Sequence, residues 1–405
     1  MAAIEFPAEL NRKIEETGPV DLMVGITGPV GEDLCAKSAA LNGVSERTMI
    51  AYAGTGESEP LACSAKALQL TAYPLRASAN SFALWTDVAE AQRYILELAA
   101  VWEARACLII HNDLAALTLE TVRALTAPVL EGQCDLVMPL YPLGKYDGLI
   151  TNCLLAPMSR ALFGRRVRFP LSFELCASGQ MAAKIAKGSS LRDESGAGLL
   201  WAANIAAMQN GQIGQAAVNV EHSIQTGDLD ISAILTELAG SLFQEVETYA
   251  AQWQHVRGSQ PVARYGNGSV LKQDTQPVDP RPMIESFVLG SRNLEELWRL
   301  VLPPATMLDL RRMARMDPAN FRMPDALWAR IVYDFALAHR MRRVSRSHVL
   351  GALTPLYLGW VASYAQEVSG VTVEEADRRI EQLARAFEEQ KPYFVSRWRW
   401  PERVG

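Results

Sequence analysis

The side chains best able to do chemistry stand where apolar runs stop. Cys107-Leu-Ile-Ile110 ends abruptly on His111, Asn112 and Asp113. Ligands of open α/β sheets bind beyond the carboxyl ends of the strands. A carboxylate at 113 could there hold a divalent cation that neutralises a diphosphate; alternatively, Asn112 and Asp113 simply open the next loop. His222 follows a second apolar run, Ala216 to Val220, and precedes a polar loop with Asp228 and Asp230. It is either a metal ligand or a hydrogen-bonded surface histidine. The segment Tyr141 to Asn152 follows a third run. Its Gly148, Thr151 and Asn152 suit either an anionic ligand or a plain structural turn. Arg160, Arg165, Arg166 and Arg168 form a cationic patch fit for phosphate or for a solvated helix end. His339 and His348 lie on arginine-rich segments expected to be solvated, and His255 has no distinctive context. No P-loop, GxGxxG or GxSxG pattern is present.

The elements that would position these residues are legible as alternating patterns. Asp21 to Ile26 predicts a buried strand, followed by a turn at Gly28, Pro29 and Gly31. Arg47 to Tyr52 predicts a second strand, Leu68 to Leu75 a third, Cys107 to Ile110 a fourth and Asp135 to Tyr141 a fifth. Residues 85 to 102 repeat apolar positions at helical spacing (Trp85, Val88, Ala89, Ile95, Leu96, Ala99, Trp102), and Leu119 to Leu130 does likewise. Strand and helix in alternation predict an α/β layer with a largely parallel sheet. After about residue 260 the pattern becomes helical, with a Gly/Gln/Asp/Pro-rich loop at Gly266 to Pro282. Leu327, Trp328, Ile331, Val332, Phe335 and Ala336 share one helix face. Thr372 with Glu375 has the form of a capping box. The expected organisation is an α/β domain over residues 1–260 and a mainly helical region over 261–405.

The 405 residues are 49% hydrophobic and 21% charged, as in a globular protein, and carry a net charge of −6. That charge argues against a nucleic-acid partner. No apolar run is long enough to span a membrane, and the N-terminus has neither the basic nor the apolar region of a signal peptide. The six cysteines (35, 63, 107, 134, 153 and 176) form no CxxC pair and are expected to be buried free thiols in a reducing compartment. The expected location is cytoplasmic. Trp360, Tyr364, Tyr393, Trp398 and Trp400 are covered either by a homodimer or by docking within the chain.

From Asp135 to Ser178 the chain reads DLVMPLYPLGKYDGLITNCLLAPMSRALFGRRVRFPLSFELCAS. This stretch resembles the retaining, GT-A-fold glycosyltransferases of the mannosylglycerate, glucosylglycerate and glucosyl-3-phosphoglycerate synthase group. Their run is similar to DxVxPxYxRxKYDGTITN, then a Pro and RALYG, then RxRQP and an acidic residue before Phe. His111-Asn112-Asp113 matches the family's Asp-x-Asp, and Val220-Glu221-His222 its distant histidine. The segments LWARIVYDFALAH, LTPLYLGWVASY and FEEQKPYFVSRW also look like relatives. The likeness spans most of the chain and is thinnest towards the N-terminus.

The resemblance implies a GT-A, Rossmann-like domain that moves a hexose from a GDP- or UDP-sugar to a small polar acceptor such as glycerate, with retention. It implies Asp113 and His222 as ligands of Mg²⁺ or Mn²⁺, and Ile26, His111, Asn112 and Asp113 as donor contacts. Asp147, Gly148, Thr151 and Asn152 would contact the acceptor, and Glu174 would orient the sugar as the catalytic acid group. The sequence departs from the family's pattern in several places. His111 replaces the first acid, and Ser78-Ala79-Asn80-Ser81 replaces a Gly-Lys-Gly. Ser172-Phe173 replaces a Gly-Gly, which would bring a ring into the sugar pocket. Gly198-Leu199-Leu200 lacks an expected acid, and Leu149 replaces a Thr. These changes support a second expectation, a degenerate paralogue that keeps the fold and acts as a binding, structural or regulatory subunit.

Overall fold

The computed structural model describes residues 8–28, 41, 44–45, 47–52, 67–69, 83–111, 118–189, 198–218, 230–267, 271–272 and 278–400. The chain divides into two compact units, each assembled from several segments. One comprises Met1–Pro142, Phe169–Asp228 and Pro261–Val270; the other comprises Leu143–Arg168, Leu229–Gln260 and Leu271–Gly405.

The first unit is built on a sheet whose described strands are β1 (Leu22–Thr27), β2 (Thr48–Tyr52), β3 (Ala67–Gln69), β4 (Ala106–His111), β5 (Leu136–Leu140), β6 (Leu175–Ser178), β7 (Ile213–Ala217) and β8 (Ala263–Tyr265), in the order β3-β2-β1-β4-β6-β5-β7-β8. All neighbours are parallel except β6, which runs antiparallel between β4 and β5. The α/β class, with helices dominating the C-terminal part, is the one the sequence predicts. Strands β6 and β8 had no sequence signal, being four and three residues long. The third strand is described over Ala67–Gln69, and the rest of the expected Leu68 to Leu75 lies outside the described residues.

Five described helices belong to this unit: α1 (Ala8–Thr17), α2 (Ala83–Val101), α3 (Leu119–Leu130), α5 (Gly179–Ser189) and α6 (Ala202–Met208). Helix α3 starts at Thr118, whose hydroxyl accepts the Thr121 amide at 3.2 Å, an ordinary N-cap. It lays Val122, Leu125 and Val129 on one sheet face, against Val24, Ile26, Leu108, Ile110 and Val137. Strands buried on both faces are near-continuously apolar, and every residue of β1 and β4 is buried. On the opposite face α2 comes close to β1 at Gly25. A Cβ there would stand 2.3 Å from Ile95, so glycine is what lets the helix reach the strand.

The second unit is helical. A π-helical turn at Thr151–Leu155 leads into α4 (Ala156–Phe163), followed by α7 (Ile231–Thr248) and α8 (Ala250–Trp253). The remainder is α9 (Arg281–Asn293), α10 (Glu295–Val301), α11 (Pro304–Met313), α12 (Asp325–Met341), α13 (Arg346–Val368) and α14 (Val373–Arg399). The capping box opens α14 as expected. The Glu375 amide donates to Thr372 Oγ at 3.2 Å, and the Thr372 amide donates to Glu375 Oε2 at 3.0 Å.

Aromatic side chains fill this unit's core. Trp360 stacks on Tyr364 at 5.3 Å, Phe394 on Tyr333 at 4.5 Å and Trp253 on Phe394 at 5.1 Å. Buried indole N–H groups find carbonyls, Trp328 that of Cys153 and Trp298 that of Ala352, as buried tryptophans usually must. Of the five aromatics expected to need covering, Trp360, Tyr364 and Trp398 are buried within this unit, and Trp400 is 57% exposed.

Two expectations about charged side chains are corrected here. His339 is not solvated: it is buried, with Nδ1 2.8 Å from Glu247 Oε1, and Arg346 binds the same carboxylate through both oxygens. The arginine patch is already paired. Arg160 bonds Glu381 at 2.6 Å and Glu388 at 3.0 Å, Arg165 bonds Gln260, Arg166 bonds Ser259, and Arg168 pairs with Asp377 at 2.8 Å. Carboxylates far along the chain meet Arg160 and Arg168, which sequence spacing could not show, while Arg165 and Arg166 meet neutral side chains. Exposed His348 agrees with its sequence reading.

Candidate functional site

The antiparallel strand explains how polar groups gather at one edge. Parallel β1, β4 and β5 all end there, and β6 begins there, because it runs the other way. Register pairs Ile109 with Leu175, so the residues just before β6, Phe173 and Glu174, come alongside the last residues of β4. Thus Gly28, His111, Tyr141, Phe173 and Glu174, distant in sequence, belong to one carboxyl edge, where α/β sheets bind ligands.

Glu174 is the hub. It is 1% exposed. Its Oε1 accepts the backbone N–H of His111 at 3.1 Å, and its Oε2 accepts the hydroxyl of Tyr141. The approach to the strand is braced from below. Gln92 on α2 donates to the carbonyls of Ser172 at 3.0 Å and Phe173 at 2.8 Å, and Ser172 Oγ donates to the Glu174 carbonyl at 2.5 Å. The His111 ring lies 5.1 Å from that of Phe173, tilted by 32°. On its other side is Gly28, with φ of +84°; a Cβ at that position would stand 2.7 Å from His111 Nε2. The imidazole is therefore lodged between a glycine and a phenylalanine. Tyr141 meets Phe169 edge-on at 4.9 Å.

Apart from the acceptor segment, the sequence-predicted residues fall into three groups. Glu174 and His111 are brought together at the strand edge. Ile26, expected as a donor contact, is fully buried among Val24, Ile50 and Ile110; its side chain is closed to a ligand by packing from the neighbouring strands. Asn112, Asp113 and His222 lie outside the described residues, as do Ser78 to Ser81 and Asp228. Tyr141, Phe173 and Gly28 are the members that sequence reasoning did not single out as site residues. Only the Gly28 turn and the Ser172-Phe173 departure gave a signal.

The expected acceptor segment belongs to the helical unit. Asp147 and Gly148 are exposed, Thr151 is half-buried and Asn152 is buried. Gly148 has φ of +58°, and around it the turn closes on itself. Asp147 Oδ2 accepts the Gly144 amide at 2.9 Å, and Asn152 Nδ2 donates to the Asp147 carbonyl at 3.0 Å. Lys145 donates to the carbonyls of Val368 and Val371 at 3.3 Å, and Tyr364 donates to the Lys145 carbonyl at 2.9 Å. The segment then enters the π-helical turn, a geometry frequent at functional sites.

Among the described residues, no group of three or more His, Cys, Asp or Glu side chains is arranged to hold a metal ion. His111 is packed and both Glu174 oxygens have donors, so the described side chains at this edge do not form a ligand set. The described cysteines, Cys107, Cys134, Cys153 and Cys176, are free and buried, and burial pushes their thiols above the usual range, which makes them poor nucleophiles. No described helix is long and apolar enough to cross a membrane.

No protein-family model matches the chain, and no curated protein matches it by sequence. Among solved structures it is similar to glucosyl-3-phosphoglycerate synthase from Mycobacterium tuberculosis in complex with Mn²⁺, UDP and phosphoglyceric acid. That match has 16% identity over 60% of this chain and 83% of that one, with a TM-score of 0.38. A complex of the same enzyme with Mn²⁺, UDP-glucose and phosphoglyceric acid matches at 17% identity over 64% and 94%, with a TM-score of 0.39. A further mycobacterial protein matches at 14% identity over 60% and 80%, with a TM-score of 0.38.

Proposed function

We propose that the protein is a GT-A-type glycosyltransferase that moves a hexose from a GDP- or UDP-sugar to a small polar acceptor, glycerate or a related hydroxy acid or sugar, with retention. The observation that carries this reading is the meeting of Glu174, His111 and Tyr141 at the carboxyl edge of an open α/β sheet. The Asp135 to Ser178 resemblance puts the donor sugar beside Glu174. In this reading Asp113 and His222 hold Mg²⁺ or Mn²⁺, which as a Lewis acid would neutralise the leaving diphosphate. Asn112 and the backbone at Ile26 and His111 border the nucleotide. Asp147, Gly148, Thr151 and Asn152 receive the acceptor, with the turn's exposed Asp147 and Gly148 as its accessible face. The reading is of a cytoplasmic protein without nucleic-acid partners.

A second reading has its own observation in favour. The His111 ring is lodged between Gly28 and Phe173, and both Glu174 oxygens already have donors. A site satisfied by its own side chains fits a degenerate paralogue that serves as a binding, structural or regulatory subunit, as a homodimer or with another chain.

Calorimetric titration of GDP, UDP and their hexose conjugates, with and without Mn²⁺, separates the two. Metal-dependent binding of one nucleotide, abolished by Asp113→Ala, is the transferase result. Flat titrations up to millimolar ligand would overturn it in favour of the degenerate subunit.

A further inference from the structure

The helical unit contains a cavity of about 280 Å³ at the meeting of α10, α11, α12 and α14. Its charged lining is unbalanced. Arg299, Arg343 and Arg397 border it, and Asp334 is the one carboxylate among the lining residues. Arg299 is paired with Glu295 at 2.9 Å, but that carboxylate also takes Arg311 at 2.5 Å. Three guanidiniums, those of Arg299, Arg311 and Arg397, thus share two carboxylates. Arg343 is exposed and makes no ion pair among the described residues.

Arg397 is the most telling of them. Its side chain is 11% exposed, and its Nε lies 2.8 Å from Asp334 Oδ1, yet its Nη1 is buried with no hydrogen-bond acceptor. A buried, charged N–H without a protein acceptor is expensive and rare, and such a group is suited to a bound ion or ligand. Asp334 compensates Arg397 only in part. Tyr393 donates to both of its oxygens, and burial pushes its carboxyl up to about 7, so it carries only part of its charge at neutral pH. Helix α11 also opens on the cavity, with Pro303 and Pro304 and no side-chain cap on its first amides. Its positive end adds to the same potential.

We propose that this cavity binds a small oxyanion-bearing molecule, a phosphate ester or a carboxylate, held by Arg299, Arg343 and Arg397. Arginine suits this role because its planar fork matches both groups in two-point geometry. The volume lies at the small end for ligand pockets, which fits a compact metabolite and excludes a dinucleotide. The proposal does not rest on the glycosyl-transfer reading.

The test uses the full chain. Thermal unfolding and calorimetry are run with inorganic phosphate, succinate and chloride at matched ionic strength. Saturable stabilisation by phosphate, by succinate or by both, with none from chloride, is the expected result, and the preferred anion names the class. Arg343→Glu, at an exposed position, should weaken that binding at least tenfold while leaving the melting temperature without anion unchanged. Arg299→Ala should weaken it too, since Glu295 keeps Arg311. Arg312→Ala, on α11 but outside the lining, should bind as the parent does. Equal effects of chloride and phosphate, or undiminished affinity in Arg343→Glu, would overturn the proposal.

Discussion

Glu174→Ala tests the argument about the strand edge most directly. The substitution removes a buried carboxylate that takes two donors, the His111 amide at 3.1 Å and the Tyr141 hydroxyl. A buried donor left without an acceptor loses about 1–3 kcal/mol. Two such donors, enclosed by Phe173 and the Gln92 brace, give an expected loss of about 3–5 kcal/mol. That is a large share of the roughly 5–15 kcal/mol that holds a domain folded. Glu174→Gln keeps the side-chain length and one carbonyl oxygen, which can still accept from His111. Its amide NH₂ then faces Tyr141, whose hydroxyl can rotate to accept, so the loss should be about 1–2 kcal/mol. Because the helical unit has tryptophans of its own, the cleaner readout is local. Urea unfolding monitored by amide hydrogen exchange along β4 and β6 should show the His111 amide losing protection in both variants, more in Glu174→Ala. A loss below about 1 kcal/mol in Glu174→Ala, or a Gln variant worse than Ala, would refute the claim that this carboxylate ties β4, β5 and β6 together.

Three further outcomes follow from the geometry. Gly28→Ala adds a Cβ 2.7 Å from the His111 ring at a φ of +84°; it should lose about 1–3 kcal/mol and shift the His111 ring resonances, and unchanged resonances would mean the ring does not rest on Gly28. Asp334 titrates near 7 when folded against about 4 in an unfolded chain, so the folded state holds the extra proton between those values. Stability should fall as pH rises through that window, by up to about 4 kcal/mol in total, and level off above it. The difference in pH profile between the parent and Asp334→Asn isolates this effect, and identical slopes from pH 5 to 7 would contradict it. Thr372→Ala removes the hydroxyl that accepts the Glu375 amide, while the residue's own amide still donates to Glu375, and should lower stability by about 1 kcal/mol, whereas Thr372→Ser should sit close to the parent in chemical denaturation.

Local regularity is what made parts of the fold legible. Leu119–Leu130 was readable to the residue because its apolar positions repeat at helical spacing between a Thr cap and a Gly turn. Thr372 with Glu375 announced α14 because a capping box is complete within four consecutive residues. The apolar runs of β1, β4 and β5 stood out because strands buried on both faces have no polar interruption. Strand β6 has four residues, Leu175-Cys-Ala-Ser178, too few for a period. Its antiparallel direction is set by what lies on either side of it, not by its own composition.

The same division runs through the candidate site. The sequence by itself determined the α/β alternation, the helical C-terminal part and the strand-end position of His111, since each is written in neighbouring residues, and the resemblance of Asp135 to Ser178 implied the candidacy of Glu174. Only the tertiary structure decided that the edge is closed from within, with Glu174 taking the His111 amide and the Tyr141 hydroxyl and the imidazole resting between Gly28 and Phe173. It also decided that Arg160 and Arg168 are neutralised by Glu381, Glu388 and Asp377, more than two hundred residues along the chain, and that His339 is buried against Glu247. Burial and charge pairing are properties of what comes into contact in space, and a pattern read along the chain carries no record of a partner so far away.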